Sequence, residues 1–415
     1  MTSADRLVAP QWLRFAAAVL LAGSVSQLAY ALHPRKGPFV GYVEVVAVGL
    51  VLVWAVWRAR VGLRRLPWPP WPAWAFVLVA ALSISHAQDL RAGLIEIVQY
   101  AFYFVPLYML FVDAFSSRPG HVWGALTVGL GIAALVALAQ MLSKVPPMDV
   151  KGLAANRNVY SALAAMLVPL AWAGMYRPGQ GALLWRVVTA GVVVVALCTM
   201  VGPPHVWIAL VALGTIAWVL DGRSLLRLCG PVFAVTIAVN LLSPIHRACN
   251  LDELLNPWET GDVYKLLRES GAGENLRLVK KRWLEWYPAL AMLADNPLLG
   301  VGVGNYQTNI GRPEYWAYIP NAKKTEPDTN NLYLVIGGSM GFAGLAALIA
   351  LLSYFAQRSA AGEPRWLAVG VAGAICSLAA VNVFTALLVR GVAVAWAGLF
   401  ACATIVARGQ GGETE

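Results

Sequence analysis

The stretch from residue 121 to 142 reads HVWGALTVGLGIAALVALAQML and contains no Asp, Glu, Lys or Arg. A helix needs about 20 apolar residues to cross a hydrocarbon core about 30 Å thick. Strands of a membrane barrel would instead show alternating segments of about ten residues. This unbroken apolar run therefore predicts a membrane-spanning helix.

Comparable runs make up most of the remaining chain. Of its residues, 59% are hydrophobic and 13% are charged, whereas a soluble domain carries about 25% charged residues. We predict an all-α integral membrane protein with about twelve transmembrane helices. The candidate spans cover residues 11–32, 39–58, 69–85, 92–114, 121–142, 158–175, 182–201, 205–220, 224–243, 331–356, 366–388 and 390–407.

Basic residues predict the orientation of these spans. With the N-terminus inside, the inner connections and tails hold about 14 Lys and Arg, and the short outer connections hold about 7. Because cytoplasmic connections carry the excess of positive charge, we expect a multi-pass protein of the bacterial inner membrane with both termini cytoplasmic. This topology and contacts with membrane lipid head groups account for the net charge of +10, so no nucleic-acid partner is expected.

The stretch 244–330 is too polar to be another span. It lies between spans nine and ten and would face the periplasm as a large, partly helical loop. We divide the chain into nine spans over 1–243, a loop domain over 244–330 and three spans over 331–415. The sequence contains no Cys or His pattern typical of a disulfide framework or a metal site, so neither a metal nor a cofactor is expected.

Polar residues cluster before span six, in Lys151-Gly-Leu-Ala-Ala-Asn-Arg-Asn158. Asn156 or Asn158 would cap the helix by accepting a hydrogen bond from a free backbone N–H group. Capping accounts for one Asn but not for two that flank an arginine. The alternative is a phosphate site formed by Arg157 together with the helix N-terminus.

A basic run lies in the loop, Asn275-Leu-Arg-Leu-Val-Lys-Lys-Arg-Trp-Leu-Glu-Trp-Tyr-Pro288. Arg282 and Trp286 are four residues apart and would share one helix face. The run is either a solvated basic face with Trp residues at the membrane interface or an anion-binding surface. The glycine-rich turn that follows, Pro297-Leu-Leu-Gly-Val-Gly-Val-Gly-Asn-Tyr306, is compatible with a phosphate cradle.

A third polar cluster, Asp328, Asn330 and Asn331, lies where the loop re-enters the membrane. Capping of span ten accounts for one of these side chains, and three within four residues predict a lined cavity. Glycines follow at positions 337, 338, 341 and 344. Small residues at this spacing are typical of close helix packing.

These segments, in this order, resemble the O-antigen ligase and polymerase superfamily of membrane glycosyltransferases. Its G-x-x-x-N-x-N-x-x-A motif corresponds to Gly152–Ala162, with the final Ala one place late. Its R-x-x-x-W and P-L-x-G-x-G-x-G-N-F/Y motifs correspond to Arg282–Trp286 and Pro297–Tyr306, and its H-N-x-Y/F-L motif to Asn330–Leu334. The resemblance implies a GT-C-like fold and metal-independent, inverting transfer of a glycan from undecaprenyl diphosphate to an acceptor hydroxyl on the periplasmic face.

Two positions depart from the pattern of that superfamily. Asn330 stands where the superfamily usually has His, the residue taken as the base or as the group that positions the acceptor. A Ser-Arg pair is usual before the span at 205–220, whereas this chain reads Gly202-Pro-Pro-His205. His205 either compensates for the missing imidazole or has a structural role.

The resemblance also implies roles for individual side chains. The leaving group would be a lipid diphosphate, and arginines stabilise such developing charge through paired hydrogen bonds. The catalytic candidates are Arg282, first, with Asn330, Asn331, Asp328 and His205. The candidates for binding the diphosphate are Arg157, Arg277, Lys281, Arg390, Asn156 and Asn158. The candidates for contacts with the acceptor are Trp286, Tyr306 and Tyr333.

The main alternative functions differ in the molecule that accepts the glycan. A ligase would use a hydroxyl of lipid A–core, a polymerase of O-antigen or exopolysaccharide would use a growing glycan, and a protein O-oligosaccharyltransferase would use a protein. Twelve spans with one dominant loop favour the ligase. A transporter would carry more ionisable residues in its spans than Glu44 and Glu96, together with repeat symmetry. A non-catalytic relative that binds lipid-linked glycan is the remaining alternative.

Overall fold

The structure is a computed structural model that describes residues 9–27, 42–62, 66–143, 145, 150–154, 156–179, 181–201, 204–222, 229–243, 246, 282–316, 329–388 and 391–409. Within these ranges the regular elements are helices, and no strand is present. The longer helices are α1 Gln11–Ser26, α2 Tyr42–Val61, α3 Trp71–Ser83, α4 Leu90–Phe115, α5 Gly120–Leu142, α6 Arg157–Ala173, α7 Ala182–Thr199, α8 His205–Asp221, α9 Gly230–Leu242, α10 Arg282–Asp295, α11 Leu332–Ala360, α12 Arg365–Val381 and α13 Val392–Arg408.

The lengths and surfaces of these helices are those of a membrane protein. Six of them, α2, α4, α5, α6, α7 and α11, are long and apolar enough to cross a bilayer, and five further apolar helices are shorter. Large apolar side chains face outward, among them Phe15 at 71% exposure and Leu242 at 82%. Exposed apolar surface on this scale indicates contact with lipid. A helix also lies in each of the twelve predicted segments, which confirms the predicted helical membrane protein.

Prolines determine local features of two helices. Pro70 lies at the N-cap of α3 and Pro72 in its first turn. Backbone N–H groups in the first turn of a helix have no intrahelical acceptor, so a proline there removes no hydrogen bond. Pro106 lies inside α4 and removes a hydrogen bond of the helical ladder. The chain accommodates it with a π-helical segment over Tyr103–Leu107, so α4 remains one continuous element.

Helix α12 packs against α6, α8 and α11. Two of its glycines permit the close approach. A Cβ atom at Gly370 would lie 2.5 Å from Ala173 Cβ, and one at Gly373 would lie 2.7 Å from Ile216 Cδ1. The ends of α6, α8, α11 and α12 therefore lie next to one another.

The bundle has two chemically different ends. We call one the polar end, where α6, α8 and α11 begin and α12 ends. The opposite end, which we call the basic end, carries the arginines that the charge pattern assigns to inner connections. Their contacts there include Arg14 Nη1 to Ser117 Oγ at 3.4 Å, the ion pair of Arg58 with Asp113 at 2.6 Å, and Arg177 over the rings of Trp123 and Trp185 at 5.5 and 5.4 Å.

Candidate functional site

Asparagine caps begin two of the helices at the polar end. The backbone N–H of Val159 donates to Asn156 Oδ1 at 2.9 Å, which caps α6. The backbone N–H of Leu334 donates to Asn331 Oδ1 at 3.1 Å, which caps α11. In each cluster, capping therefore accounts for one Asn, as predicted, and the neighbouring polar residues need another explanation.

Asn158, Arg157 and Asn330 are those neighbours. Asn158 Oδ1 is buried and has no hydrogen-bond partner among the described residues. A buried acceptor without a donor costs free energy, so this position favours a ligand that supplies one. Arg157 is half-buried in the first turn of α6. Asn330 has a φ of +50°, a left-handed conformation that Asn tolerates better than most residues and that recurs at functional sites.

The segment that follows α12 joins the other helix ends. Asn382, which is fully buried, accepts a hydrogen bond from Leu332 N at its backbone oxygen, 2.8 Å away. Its Oδ1 accepts from Leu387 N at 2.9 Å. Thr385 Oγ1 lies 3.1 Å from His205 Nε2. This segment therefore links the beginning of α8 to the beginning of α11.

His205 is 0% exposed. Its contact with Thr385 is a structural use of the imidazole, since it holds α8 against the segment after α12. Asn382 and Thr385 are site residues that the motifs do not identify. The signal for them is in the sequence, because both are polar positions within an otherwise apolar predicted span.

Glu44 supplies a buried carboxylate at the polar end. It is 6% exposed, and its Oε1 accepts hydrogen bonds from Tyr103 Oη at 3.2 Å and from Gly391 N. These donors explain how the carboxylate is accommodated away from water. The contact also anchors the start of α13, next to the predicted diphosphate ligand Arg390, which lies outside the described residues.

The glycine turn, Pro297–Tyr306, forms hydrogen bonds with the backbone of α11 where that helix is interrupted. Gly341 interrupts that helix with a φ of +67°. Around the break, Phe342 N donates to Pro297 O at 2.7 Å, and Gly302 N donates to Ser339 O at 3.0 Å. In a bilayer every backbone polar group needs such a partner from the protein. The turn and the broken helix therefore form one unit.

The other side of the glycine turn docks on the connection between α3 and α4. His86 Nδ1 lies 3.0 Å from Gly300 O. Asn305 Oδ1 accepts from Asp89 N at 2.7 Å, and Asn305 Nδ2 donates to Asp89 O at 3.1 Å. This reciprocal pair fixes the turn to a part of the chain that is more than 200 positions earlier.

The glycines of the turn serve close packing. A Cβ atom at Gly300 would lie 2.3 Å from the backbone of Ser339, and one at Gly304 would lie 2.6 Å from the backbone of Ala92. The backbone N–H groups of residues 300 to 304 already have protein acceptors, namely Asn296 O, Gly338 O, Ser339 O, Ser83 Oγ and the Glu96 carboxylate. A phosphate cradle requires free N–H groups, so the turn does not form one.

The aromatic candidates lie in the packing around this unit. Tyr306 is 4% exposed and belongs to a small apolar core with Ala289, Met292, Val301, Ile310 and Tyr315. Tyr333 Oη donates to Ala379 O at 2.8 Å. Trp286 is half-buried in the first half of α10. Tyr306 therefore belongs to the packing of α10 and the glycine turn, and Tyr333 links α11 to α12.

A second buried imidazole lies near the polar end. His246 is 2% exposed. Its Nδ1 lies 2.8 Å from Ser243 Oγ, and its Nε2 lies 3.2 Å from Cys198 O. Burial lowers the pKa of His246 below its ordinary value, so the ring is neutral at pH 7. It links the ends of α7 and α9, and the motifs do not identify it.

Several predicted residues fall outside the described part of the chain. They are Arg277, Lys281, Asp328 and Arg390. Arg282 begins α10, and only its backbone is described. Helix α10 packs against α11, and it ends at Asp295, shortly before the glycine turn.

No protein-family model and no curated protein matches this chain. The resemblance to O-antigen ligases is therefore carried by the three motif segments and their order.

Substitutions at Asn156 separate its cap from binding of an anion. Asn156→Ala should lower the free energy of unfolding by about 1 kcal/mol, whereas Asn156→Asp should retain the cap and the stability. The resemblance implies that Arg157 binds a diphosphate and that the chain transfers a glycan. If so, a carboxylate beside Arg157 should repel the diphosphate, and Asn156→Asp should impair transfer. Thermal unfolding in detergent and a transfer assay measure the two effects. Full activity of Asn156→Asp would restrict this position to capping.

Proposed function

We propose that this chain is a glycosyltransferase of the O-antigen ligase type. It would move a glycan from undecaprenyl diphosphate to a hydroxyl of lipid A–core. The proposal includes twelve membrane spans and a GT-C-like fold in the bacterial inner membrane, with the polar end in the periplasm and both termini in the cytoplasm. One observation supports it: three of the four segments that resemble the superfamily, 152–162, 297–306 and 330–334, lie at the polar end although they are far apart in sequence.

The contacts of that convergence support a single site. The Asn156 cap begins α6 and the Asn331 cap begins α11. Helix α12 packs against both of these helices. The glycine turn is hydrogen-bonded to α11 on one side and to the start of α4 on the other. Arg282 begins the helix that leads into this turn. The helices and the turn that carry the described motif segments are therefore packed in one bundle.

In the proposed reaction the acceptor oxygen attacks the anomeric carbon from the face opposite the diphosphate. The bond from that carbon to the diphosphate oxygen breaks, and the configuration inverts. Arg282 and Arg157 would stabilise the growing negative charge, because guanidinium groups form paired hydrogen bonds with phosphate oxygens and stay charged. The N-terminus of α6 would add the partial positive charge of its backbone N–H groups.

The acceptor side of the site uses different groups. Asp328 is the carboxylate candidate to receive the proton of the hydroxyl, a role that typically contributes about 10²–10⁴-fold to the rate. Asn330 and Asn331 would orient the acceptor. Because Asn331 Oδ1 is used by the cap of α11, its Nδ2 is the group assigned to the acceptor. His205 would position the segment after α12.

A repeat-unit polymerase for O-antigen or exopolysaccharide is the alternative, since it uses the same donor and differs in the acceptor. Transport is less well supported, because Glu44 and Glu96 both accept hydrogen bonds from neighbouring groups of the protein. These carboxylates serve the packing of α13 and of the glycine turn. A protein acceptor has no particular observation in its favour.

A choice of acceptors separates the alternatives. Purified protein would be incubated with undecaprenyl-diphosphate glycan and either lipid A–core or no added acceptor. We expect a new product with lipid A–core alone, detected as a mass increase of the core lipid. Growth of a glycan ladder without lipid A–core would instead identify a polymerase.

A further inference from the structure

A cavity of about 270 Å³ opens at the basic end, where α1 and α5 begin. This volume lies just below the range of about 300–1,000 Å³ that is typical of drug-sized ligands. Its size suits a compact polar group rather than a whole glycan. The lining residues are Gln11, Arg14, Phe15, Ala18, Arg118 and His121.

The lining is cationic. Arg14 and Arg118 contribute two guanidinium groups, and the lining residues that the structure describes include no Asp or Glu. The charged groups that act on His121 are the three cations Arg14, Arg118 and Arg177. Positive charges that face one cavity repel one another unless an anion lies between them. The cavity is therefore suited to an anion.

Arg14 also has a donor that the described protein does not use. Its Nη1 reaches an uncharged partner, Ser117 Oγ, at 3.4 Å. Its Nε is buried and has no hydrogen-bond partner among the described residues. At the same end of the bundle, Arg58 forms two short hydrogen bonds with Asp113, at 2.6 and 2.7 Å. Arg14 therefore has a buried donor for which the described residues supply no acceptor, and such a donor is costly.

The outer wall of the cavity is apolar. Phe15 is 71% exposed, and Trp12 on the same helix is 50% exposed. These side chains would meet the acyl region if α1 lies in a bilayer, and an aromatic side chain such as Trp12 favours the level of the head groups. The ligand should therefore combine an anionic group with apolar chains.

We propose that this cavity binds a phosphate group carried by an anionic membrane lipid. Arg14 and Arg118 would hold the phosphodiester oxygens, and the acyl chains would lie along α1 beside Phe15. Basic pockets between transmembrane helices are a recurrent way to hold such head groups. The site is at the opposite end of the bundle from the proposed reaction and does not depend on it.

The test uses the purified full-length chain in detergent and counts bound lipid by native mass spectrometry. The probes are short-chain phosphatidylglycerol, phosphatidylcholine with the same chains, and inorganic phosphate. We expect one molecule of phosphatidylglycerol to bind in preference to phosphatidylcholine. Each arginine near a lipid surface contributes about 1 kcal/mol, so Arg14→Gln with Arg118→Gln should weaken binding about 30-fold.

Two further variants keep the test informative. Arg118→Gln alone changes an exposed side chain and should weaken binding about 5-fold. Arg60→Gln removes an exposed cation at the same end but outside the cavity, and it should leave binding unchanged. Displacement of phosphatidylglycerol by inorganic phosphate would support recognition of the phosphate group itself.

Equal binding of phosphatidylglycerol by the wild type and the double variant would overturn the proposal. Equal affinity for the two lipids would overturn it as well. Arginine-dependent binding of inorganic phosphate without binding of phosphatidylglycerol would overturn the lipid assignment and identify free phosphate as the ligand.

Discussion

Replacement of Arg282 by alanine should reduce glycan transfer by at least about 100-fold, the loss typical when a preorganised group that stabilises transition-state charge is removed. Arg282 is the first residue of α10, the helix that precedes the glycine turn. In the proposed reaction its guanidinium neutralises the departing diphosphate, so the loss should appear in kcat more than in KM. Initial rates with undecaprenyl-diphosphate glycan and lipid A–core measure the effect.

Arg312→Ala is the matched control for this variant. Arg312 is another loop cation, and its Nη1 lies 3.8 Å from Glu314 Oε1 in a partly exposed pair. Exposed pairs of this kind contribute about 0–1 kcal/mol, so neither activity nor stability should change appreciably. Size-exclusion profiles and thermal unfolding of both variants would show whether the fold is intact. Wild-type activity in a folded Arg282→Ala protein would remove the central residue of the mechanism.

Gly302→Ala should lower the free energy of unfolding by about 2–5 kcal/mol. Gly302 has a φ of +97°, and a Cβ atom there would lie 2.6 Å from the Cα and N atoms of Ala87. A left-handed conformation costs an L-residue about 1–2 kcal/mol, and overpacking adds about 1–3 kcal/mol. The turn should then separate from the connection between α3 and α4. Thermal unfolding in detergent measures the stability.

Gly191→Ala is the control for this effect. Gly191 lies within α7, and a Cβ atom there would have no neighbour within 4 Å. Alanine is favoured over glycine in a helix by about 0.5–1 kcal/mol, so this variant should be slightly more stable than the wild type. If Gly302→Ala proved equally harmless, the close docking of the glycine turn would be wrong.

The sequence contains enough information for the helices and their caps. Uninterrupted apolar runs such as 121–142 require helices of bilayer length, and a helix lies in every predicted segment. Asn156 and Asn331 stand directly before apolar runs, where a cap is favoured, and both are caps in the structure. These features depend on neighbouring residues, so local patterns suffice.

The contacts of the glycine turn could not be predicted from local sequence patterns. Repeated glycines indicate that something approaches the backbone closely, but they do not say what. A phosphate and a second backbone segment impose the same requirement. Here the approaching groups are the backbones of Ser339, Ala87 and Ala92. Two of them precede the turn by more than 200 positions, and no short motif encodes that distance.

Tertiary contacts also explain why the motifs do not identify some of the buried polar residues. Glu44 acquires its role from Tyr103 and Gly391, and Thr385 from its contact with His205. Each contact joins helix ends that become neighbours only when the bundle is assembled. The motif segments could be recognised in the sequence, whereas the buried contacts around them required the structure.

The central claim is that the polar end transfers a glycan from a lipid diphosphate. Its most direct test is the release of undecaprenyl diphosphate by the purified protein, measured together with the glycosylated acceptor. We predict that release requires the acceptor, matches the product one to one and is lost in Arg282→Ala. Tight binding of the lipid-linked glycan without any release, with lipid A–core or a glycan acceptor present, would contradict the claim.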